Sequence, residues 1–397
     1  MNDSFPGFGK SFNNANKQED QYMPGSFNQD SAARDRAAGA IIGAFVGDAL
    51  GLGPHWYYDL TALRRDYGDW ITNYTDPKPG RYHCDLKAGQ LSQGGIILRL
   101  MLHSLIEHGG YDEADFCRRM DEEIFPLLNG LPVNGPGGYT QQSIRDTWRK
   151  RVQQNLPWGV ETGGPADTTE GIGRTLALAV RYAFQPREMA DAIASNTRLT
   201  QRDETVVALT VAYGAVLGLL VQGNKLDGHL SGKLMRLARA RKLPFHTMAH
   251  TDLQPPQKDR PLESGFFISP DALLTPSYVA DAAMDPDVRI EPAWKVSSVY
   301  GMTCAVYHQL PAAYHLAARF SNDFETAVLH AVNGGGENQA RAVLTGALVG
   351  AQTGLSGIPR RFLEGLDETG ILQRLALEVA SKVGVSVATD EVKNQEY

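Results

Sequence analysis

Four glycines, Gly39, Gly43, Gly47 and Gly51, recur at every fourth residue through the stretch "GAIIGAFVGDALG". In an α-helix that spacing stacks them on one face. Each glycine costs a helix interior roughly 1 kcal/mol relative to alanine, so the pattern is useful only where another backbone or a ligand must come close. Close helix packing and a ligand-facing wall both remain open at this point. Asp48 follows Gly47 near the expected helix end, where a carboxylate opposes the macrodipole, so a compensating role is expected for it.

The rest of the chain repeats the helical period. Apolar residues at three- and four-residue spacing predict helices over 33–52, 96–108, 112–128, 140–155, 170–184, 204–222, 271–284, 297–320, 324–332, 338–353 and 369–383. Asp112 stands three residues before Asp115 as an N-cap, and Gly109-Gly110 closes the helix ending at His108. Alternating β-type runs are few, so the fold class is all-α. No composition break and no internal repeat divides the chain. Residues 1–32 read as a disordered polar tail rich in Asn, Gln, Ser and Gly, 33–385 as one helical domain, and 386–397 as a polar C-terminal tail. The Pro-rich stretch "FHTMAHTDLQPPQKDRPLESGFFISPDALLTP" reads as a long surface loop.

Composition narrows the function. The 397 residues include 42% hydrophobic and 21% charged side chains with a net charge of −7, and the basic residues are scattered. No polyanion-binding footprint results, so no nucleic-acid partner is expected. Cys84, Cys117 and Cys304 are odd in number and far apart, which argues against a disulfide framework or a thiolate zinc site. The amino terminus lacks a basic start followed by an apolar core. A reducing, cytoplasmic location is therefore expected. "TVVALTVAYGAVLGLLV" is at the short edge of what a bilayer requires and contains Thr, Tyr and two glycines, so it is expected as a buried central helix and no membrane partner is expected.

Several stretches offer chemistry. "PHWYYD" gathers His55, Trp56, Tyr57, Tyr58 and Asp59 directly after the first helix, a set that suits a sugar or base pocket and equally a core corner. "HAVNGGGENQ" places Asn333, Gly335, Gly336, Glu337, Asn338 and Gln339 before an apolar helix. Glycines at a helix N-terminus leave N–H groups free for anionic oxygens, and Gln93, Asn333, Asn338 and Gln339 offer neutral donors and acceptors. "NGPGGYTQQS" and "TGGPADTTEGIGR" each set glycines before a helix start, the second with Asp167, Thr168, Thr169 and Glu170 as helix-start residues or ligands. "HTMAH" has helical metal-ligand spacing but lacks the glutamate of HExxH, and "LMRLARARKL" reads as a solvated basic helix end.

The "GAIIGAFVGDALG" opening, the late "AVNGGGENQARAVLTGALVGA" and the order of helices between them resemble the ADP-ribosylglycohydrolase superfamily. Its members are all-α enzymes that release ADP-ribose from modified proteins and small molecules. The resemblance covers roughly residues 36–375 and implies a single large orthogonal helical domain of that type. The family's Gly-Asp-Ala-Leu-Gly motif matches Gly47 to Gly51. Its two-magnesium site uses a Thr-Asp-Asp-Thr motif, aligned here with Ser92, Gln93, Gly94 and Gly95, and an Asp-Thr-Asp-Thr motif, aligned with Glu337 to Ala340. Of the four aspartates only one has an acidic counterpart, Glu337, and His55 stands where many members carry an acidic residue.

Magnesium demands hard oxygen ligands in near-octahedral geometry. Magnesium is the family cofactor, but with most of its ligands replaced no cofactor and no metal ligand are expected. His-Trp after the first helix with Gly-Gly-Glu-Asn late in the chain is similar to the branch containing the jellyfish J-type crystallins and their selenoprotein relatives. The resemblance implies a hydrolase of an ADP-ribosyl or related nucleoside-type linkage, acting on a small-molecule or ADP-ribosylated substrate, with a non-catalytic ligand-binding or structural protein as the alternative. Glu337, His55 and Asp48 are the expected catalytic residues. Trp56, Asp59, Ser92, Gln93, Gly94, Gly95, Asp167, Thr168, Glu170, Asn333, Gly335, Gly336, Asn338 and Gln339 are the expected ligand-binding set. Gln201 stands where a family loop often has His. The oligomeric state is not set by the sequence.

Overall fold

Every residue from Ala37 to Leu50 except Asp48 is fully buried or nearly so, and Asp48 itself is only 4% exposed. The first helix therefore has no solvent face and must be surrounded. A computed structural model, which describes residues 24–247 and 265–384, shows what surrounds it. Among the described residues there are sixteen α-helices and no strand longer than an isolated bridge. In chain order the first eight are α1 (Pro24–Leu52), α2 (Leu60–Tyr67), α3 (Gln93–His108), α4 (Glu113–Arg119), α5 (Gln142–Trp148), α6 (Glu170–Arg181), α7 (Pro186–Arg198) and α8 (Glu204–Val221). The second eight are α9 (Leu230–Arg239), α10 (Asp271–Met284), α11 (Val296–Tyr300), α12 (Val306–Arg319), α13 (Phe324–Asn333), α14 (Asn338–Thr353), α15 (Arg360–Gly365) and α16 (Thr369–Ser381).

α1 and α14 are the most closely packed pair, and they run antiparallel. A Cβ added to Gly43 would collide with the carbonyl oxygen of Gly346, and one added to Gly39 with that of Gly350. Reciprocally, a Cβ on Gly346 or Gly350 would strike the carbonyl oxygens of Gly43 or Gly39. Gly47 faces the Ala342 carbonyl, and Gly51 faces the backbone of Gln339. The glycine face is thus covered by a second helix with its own small-residue face, and of the two readings close packing is the one realised. Because the pair is antiparallel, the C-terminal end of α1 lies beside the N-terminal end of α14.

The other helices complete the core around this pair, with α16, α6, α8, α13 and α3 against α1 and α12, α13 and α8 against α14. α8 is long and apolar enough to cross a membrane, yet 83% of it is buried inside the domain. Its neighbours α6, α7 and α14 supply the apolar surroundings that its composition calls for. The cap geometry follows the sequence: the Asp112 carboxylate accepts from the Asp115 N–H, and Gly109 takes a left-handed conformation with φ 71° at the end of α3.

Three boundaries differ from the sequence reading. α1 begins at Pro24, so the final residues assigned to the polar tail are helical; residues 1–23 and 386–397 lie outside the described residues. The helix expected over 297–320 is two helices, α11 and α12, divided at Gly301, whose φ of 125° no helix accommodates. The freed segment instead gives its Met302 carbonyl to the Glu337 N–H at 2.8 Å. The helices α2, α7 and α15 were absent from the periodicity reading, since they are too short or too polar on their outer faces to stand out, and α9 was read only as a basic helix end over 234–243. Of the "HTMAH" pair, His250 lies outside the described residues.

Gly43→Leu is expected to overpack the α1–α14 contact at a cost of about 1–3 kcal/mol or more, read as a lowered denaturation midpoint. Gly370→Ala, at an exposed position where a Cβ meets nothing within 4 Å, is the control and should leave the midpoint within error or raise it.

Candidate functional site

The end of α1 and the starts of α3 and α14 meet in one pocket. Its lining includes Asp48, His55, Gly94, Gly95, Tyr139, Gln141, Thr168, Thr169, Glu170, Arg174, Cys304, Glu337 and Gln339, over a floor of Ala44, Ile97, Leu98, Val343 and Leu344. Two buried carboxylates, Asp48 and Glu337, stand on its walls.

Asp48 sits over the N-terminus of α3. Ser92 is the N-cap of that helix: its Oγ accepts from the Gly94 N–H at 3.0 Å and donates to Asp48 Oδ1 at 2.6 Å. The Ser92 N–H donates to Asp48 Oδ2 at 2.8 Å. Gly95 is required here, because a Cβ would fall 2.5 Å from Asp48 Oδ2. Burial strongly disfavours the charged form and pushes the Asp48 carboxyl up to about 6, against the opposing pull of the Ser92 hydrogen bonds, the neighbouring His55 and the Gly95 N–H.

Glu337 is the N-cap of α14, accepting from the Ala340 N–H at 3.3 Å. His55 Nε2 lies 3.1 Å from Glu337 Oε1, and the Trp56 indole N–H donates to Glu337 Oε2. Burial alone would raise this carboxyl, but the adjacent His55 together with the hydrogen bonds from His55, Trp56 and the Ala340 N–H outweighs it and holds Glu337 below the ordinary glutamate range. The two carboxylates are therefore driven in opposite directions.

The backbone before α14 is shaped to present Glu337. Gly335 and Gly336 have φ of 65° and 60°, in the left-handed region that favours glycine. Gly336 exchanges backbone hydrogen bonds with the 56–57 segment, the Trp56 N–H donating to its carbonyl at 3.1 Å and its own N–H donating to the Tyr57 carbonyl at 2.8 Å. Fully buried Arg341 holds the turn from behind, donating from Nε to the Ala331 carbonyl at 2.9 Å and from Nη2 to the Gly335 carbonyl at 2.6 Å. Trp56 and His83 also have left-handed φ, 60° and 67°, without being glycine. Each such residue costs about 1–2 kcal/mol, and such strain concentrates at functional sites.

On the far wall, Gln201 fixes the 164–171 loop. Its Nε2 donates to the carbonyls of Ala166 and Thr168, and its Oε1 accepts from the Gly171 N–H, all within 2.8–2.9 Å. Glu170 accepts from the N–H groups of Gln142 and Ser143 at the start of α5. Arg174 is buried without a carboxylate partner; Nε and Nη2 are held by Asn196 and Thr200, and burial lowers it to about 10, so it stays cationic at neutral pH.

The remaining expected residues divide. Thr168 and Glu170 line the pocket, and Gln339 does so while its Nε2 donates to the Asp48 carbonyl at 3.0 Å. Trp56 reaches it through Glu337. Asp59 does not belong to it: its carboxylate caps α2 by accepting from the Thr61 N–H. Asn333 is spent on the backbone of Ile71, donating to its carbonyl and accepting from its N–H, which pins the loop after α2 to α13. Asp167 is exposed and contributes a backbone carbonyl to the Val306 N–H. Gln93 is buried behind the wall, accepting from the Gln141 N–H, and Asn338 is buried beside it without lining the pocket.

Sequence reasoning missed His83 and Cys304; Tyr139, Gln141 and Arg174 fall within the two glycine-led stretches it singled out but were not named individually. His83 and Tyr139 lie in loops with no periodicity. Gly301 followed by Thr303 was the available sign of the helix break that delivers Cys304, whose thiol burial pushes up to about 12.

The donor set departs from the family's two-magnesium centre at both motifs. At the first motif Ser92 is committed to Asp48 and Gly94 and Gly95 have no side chain; at the second, Glu337 is held by an indole, an imidazole and a backbone N–H, and its neighbours are amides. Among the described residues no group of three or more His, Cys, Asp or Glu side chains could hold a metal ion. Two divalent ions need several carboxylates to offset their repulsion, and these residues do not fit them.

An all-α domain in which the ends of two central helices bring paired buried carboxylates into one pocket is the class that fold and site define. The family model for ADP-ribosylglycohydrolase matches residues 29–388, and the chain belongs to that family. It is 22% identical over 339 residues to the ADP-ribosyl-[dinitrogen reductase] glycohydrolase of Rhodospirillum rubrum, covering 85% of this chain and 92% of that protein. It is 21% identical over 350 residues to the ADP-ribosylarginine hydrolase Tri1 of Pseudomonas putida (strain GB-1), covering 87% of this chain and 78% of that one. A solved structure, an ADP-ribosylglycohydrolase-related protein complex, shares the fold with a TM-score of 0.55 at 18% identity, over 89% of this chain and 99% of that chain.

Because the folded Asp48 carboxyl titrates near 6, its protonated form favours folding. That contribution is complete below the ordinary value of 3.8 and is lost as pH rises through about 6. The stability of the protein relative to its Asp48→Asn variant should therefore fall by about 2 kcal/mol between pH 4 and pH 6.5 and level off above pH 7. Denaturant titrations across that range check it, and a flat difference would remove the inverted carboxyl.

Proposed function

We propose that the protein hydrolyses an ADP-ribosyl or related N- or O-glycosidic linkage, and that it does so without a dinuclear magnesium centre. One observation carries the reading: on the walls of a single pocket, the Asp48 carboxyl is raised to about 6, Glu170 is also raised by burial though held by the N–H groups of Gln142 and Ser143, and Glu337 alone is held low. Separated titration of two carboxyls assigns acid and base. Departure of a ribosyl group passes through an oxocarbenium-like state, which an ionised carboxylate stabilises and a protonated group assists at the leaving atom. Ionised Glu337 takes the first role or activates water, Asp48 holds the proton, and the His55 imidazole between them keeps Glu337 ionised. The relatives named as ADP-ribosyl hydrolases support the linkage class.

A second reading, a non-catalytic ligand-binding or crystallin-like protein, is favoured by the saturation of the site. Both oxygens of Asp48 and both of Glu337 already have protein partners.

Release of ADP-ribose from an ADP-ribosylated peptide or nucleoside, with and without EDTA, separates the readings. Hydrolysis should survive the chelator, and Glu337→Gln should reduce turnover by about 10²-fold or more. Activity that vanishes with EDTA and returns on adding Mg²⁺ defeats the metal-free reading; absence of hydrolysis with retained ADP-ribose binding supports the second.

A further inference from the structure

His55 uses both ring nitrogens. Nε2 faces Glu337 at 3.1 Å, and Nδ1 faces Nε2 of a second imidazole, His83, at 2.7 Å. The two ring planes are inclined by 23° with centroids 4.8 Å apart, so the rings meet end to end through these nitrogens, and Tyr139 meets both edge-on. His83 is 0% exposed and its other nitrogen, Nδ1, has no partner. The chain pays for this placement with a left-handed backbone at His83.

Those contacts restrict the protons. Glu337 can only accept when ionised, so His55 Nε2 carries a hydrogen. The 2.7 Å contact then needs one hydrogen between His55 Nδ1 and His83 Nε2. If it belonged to His55, that ring would be an imidazolium and neutral His83 would carry its own hydrogen on Nδ1, leaving a buried N–H donor unpaired; if it belongs to His83, both rings are neutral and the His83 Nδ1 is a bare lone pair. Orphaned buried N–H groups are the rarer and costlier case. We infer that His83 is a positioning residue which donates from Nε2 to His55 Nδ1 and thereby fixes His55 as the Nε2–H tautomer aimed at Glu337. The charged and titratable groups facing His55 are Glu337 and Asp48, with the Tyr139 ring alongside. The role in turnover rests on the hydrolase reading above; the tautomer does not.

The test uses the full chain with ¹⁵N-labelled histidine at pH 8, above the ordinary imidazole range. Long-range ¹H–¹⁵N spectra should show His55 protonated on Nε2 only and His83 protonated on Nε2 only. His83→Gln, whose amide can still donate, should keep the His55 pattern and kcat within a few-fold. His83→Phe, which cannot donate, should mix the His55 tautomers and lower kcat by about 10–100-fold at little changed KM, as loss of an orienting outer partner does. A wild-type spectrum with His55 protonated on Nδ1 overturns the inference, and needs no variant to fold. So does a His83→Phe protein with the wild-type His55 pattern and kcat. If the wild type shows the expected tautomers but hydrolyses nothing, the hydrolase reading fails while the assignment of His83 stands.

Discussion

At three glycines of α1 what lies against it from α14 is backbone, Gly39 against Gly350, Gly43 against Gly346 and Gly47 against Ala342, and a fourth, Gly51, meets the Cα and side chain of Gln339. Side chains normally hold helix axes 8–10 Å apart, so removing them lets two helices approach as closely as main chains allow. The contact is antiparallel, and this decides the site. It fixes Asp48, one residue beyond Gly47, beside Gln339 and one turn from Glu337. No loop could hold two buried carboxylates in register as firmly as two helices locked at four successive points.

The second constraint is charge. A buried carboxylate costs several kcal/mol unless hydrogen bonds or opposite charge compensate it, and here the compensation differs between the two. Asp48 has three donors, all from the start of α3, and burial still prevails. Glu337 has an indole, an imidazole and a backbone N–H, and these prevail over burial. The difference does not come from depth, since both are almost inaccessible. It comes from His55, which bonds Glu337 directly and acts on Asp48 only through space.

Much of this could be read from the sequence, and for definable reasons. Glycine spacing announced a closely packed α1, and apolar periodicity gave α8 and α14, which are buried over most of their surface, and α10, which buries one face, with correct or nearly correct ends. Glu337 was legible because glycines before an apolar helix are a local signal, whereas Ser92 and Gly95 were reached only through the family's motif order. The partner face Gly346–Gly350 stood in the sequence, but pairing two faces is a long-range fact that one chain does not display. Asp59 and Asn333 were misassigned for the converse reason: a cap and a backbone clamp use the same polar atoms as a ligand would. His83 was illegible, since it sits in a loop 28 residues from His55 and only the fold brings the imidazoles to 2.7 Å.

Glu337 is also where the backbone and the charge arguments join. Its N–H is held by the Met302 carbonyl, the turn before it is clamped by Arg341, and its carboxylate is met by residues from the loop after α1. Two segments distant in sequence, the 55–56 loop and Met302, together with the neighbouring Arg341 therefore fix one residue, backbone and carboxylate alike. Loosening any of them would let the carboxylate swing away from His55, and burial, which dominates at Asp48, would then raise Glu337 as well. With both carboxyls raised, the pocket would lose its division between a proton-holding and an ionised group. The positive φ at Gly335, Gly336, Trp56 and His83 is thus best understood as backbone distortion tolerated to keep the two carboxyls chemically distinct.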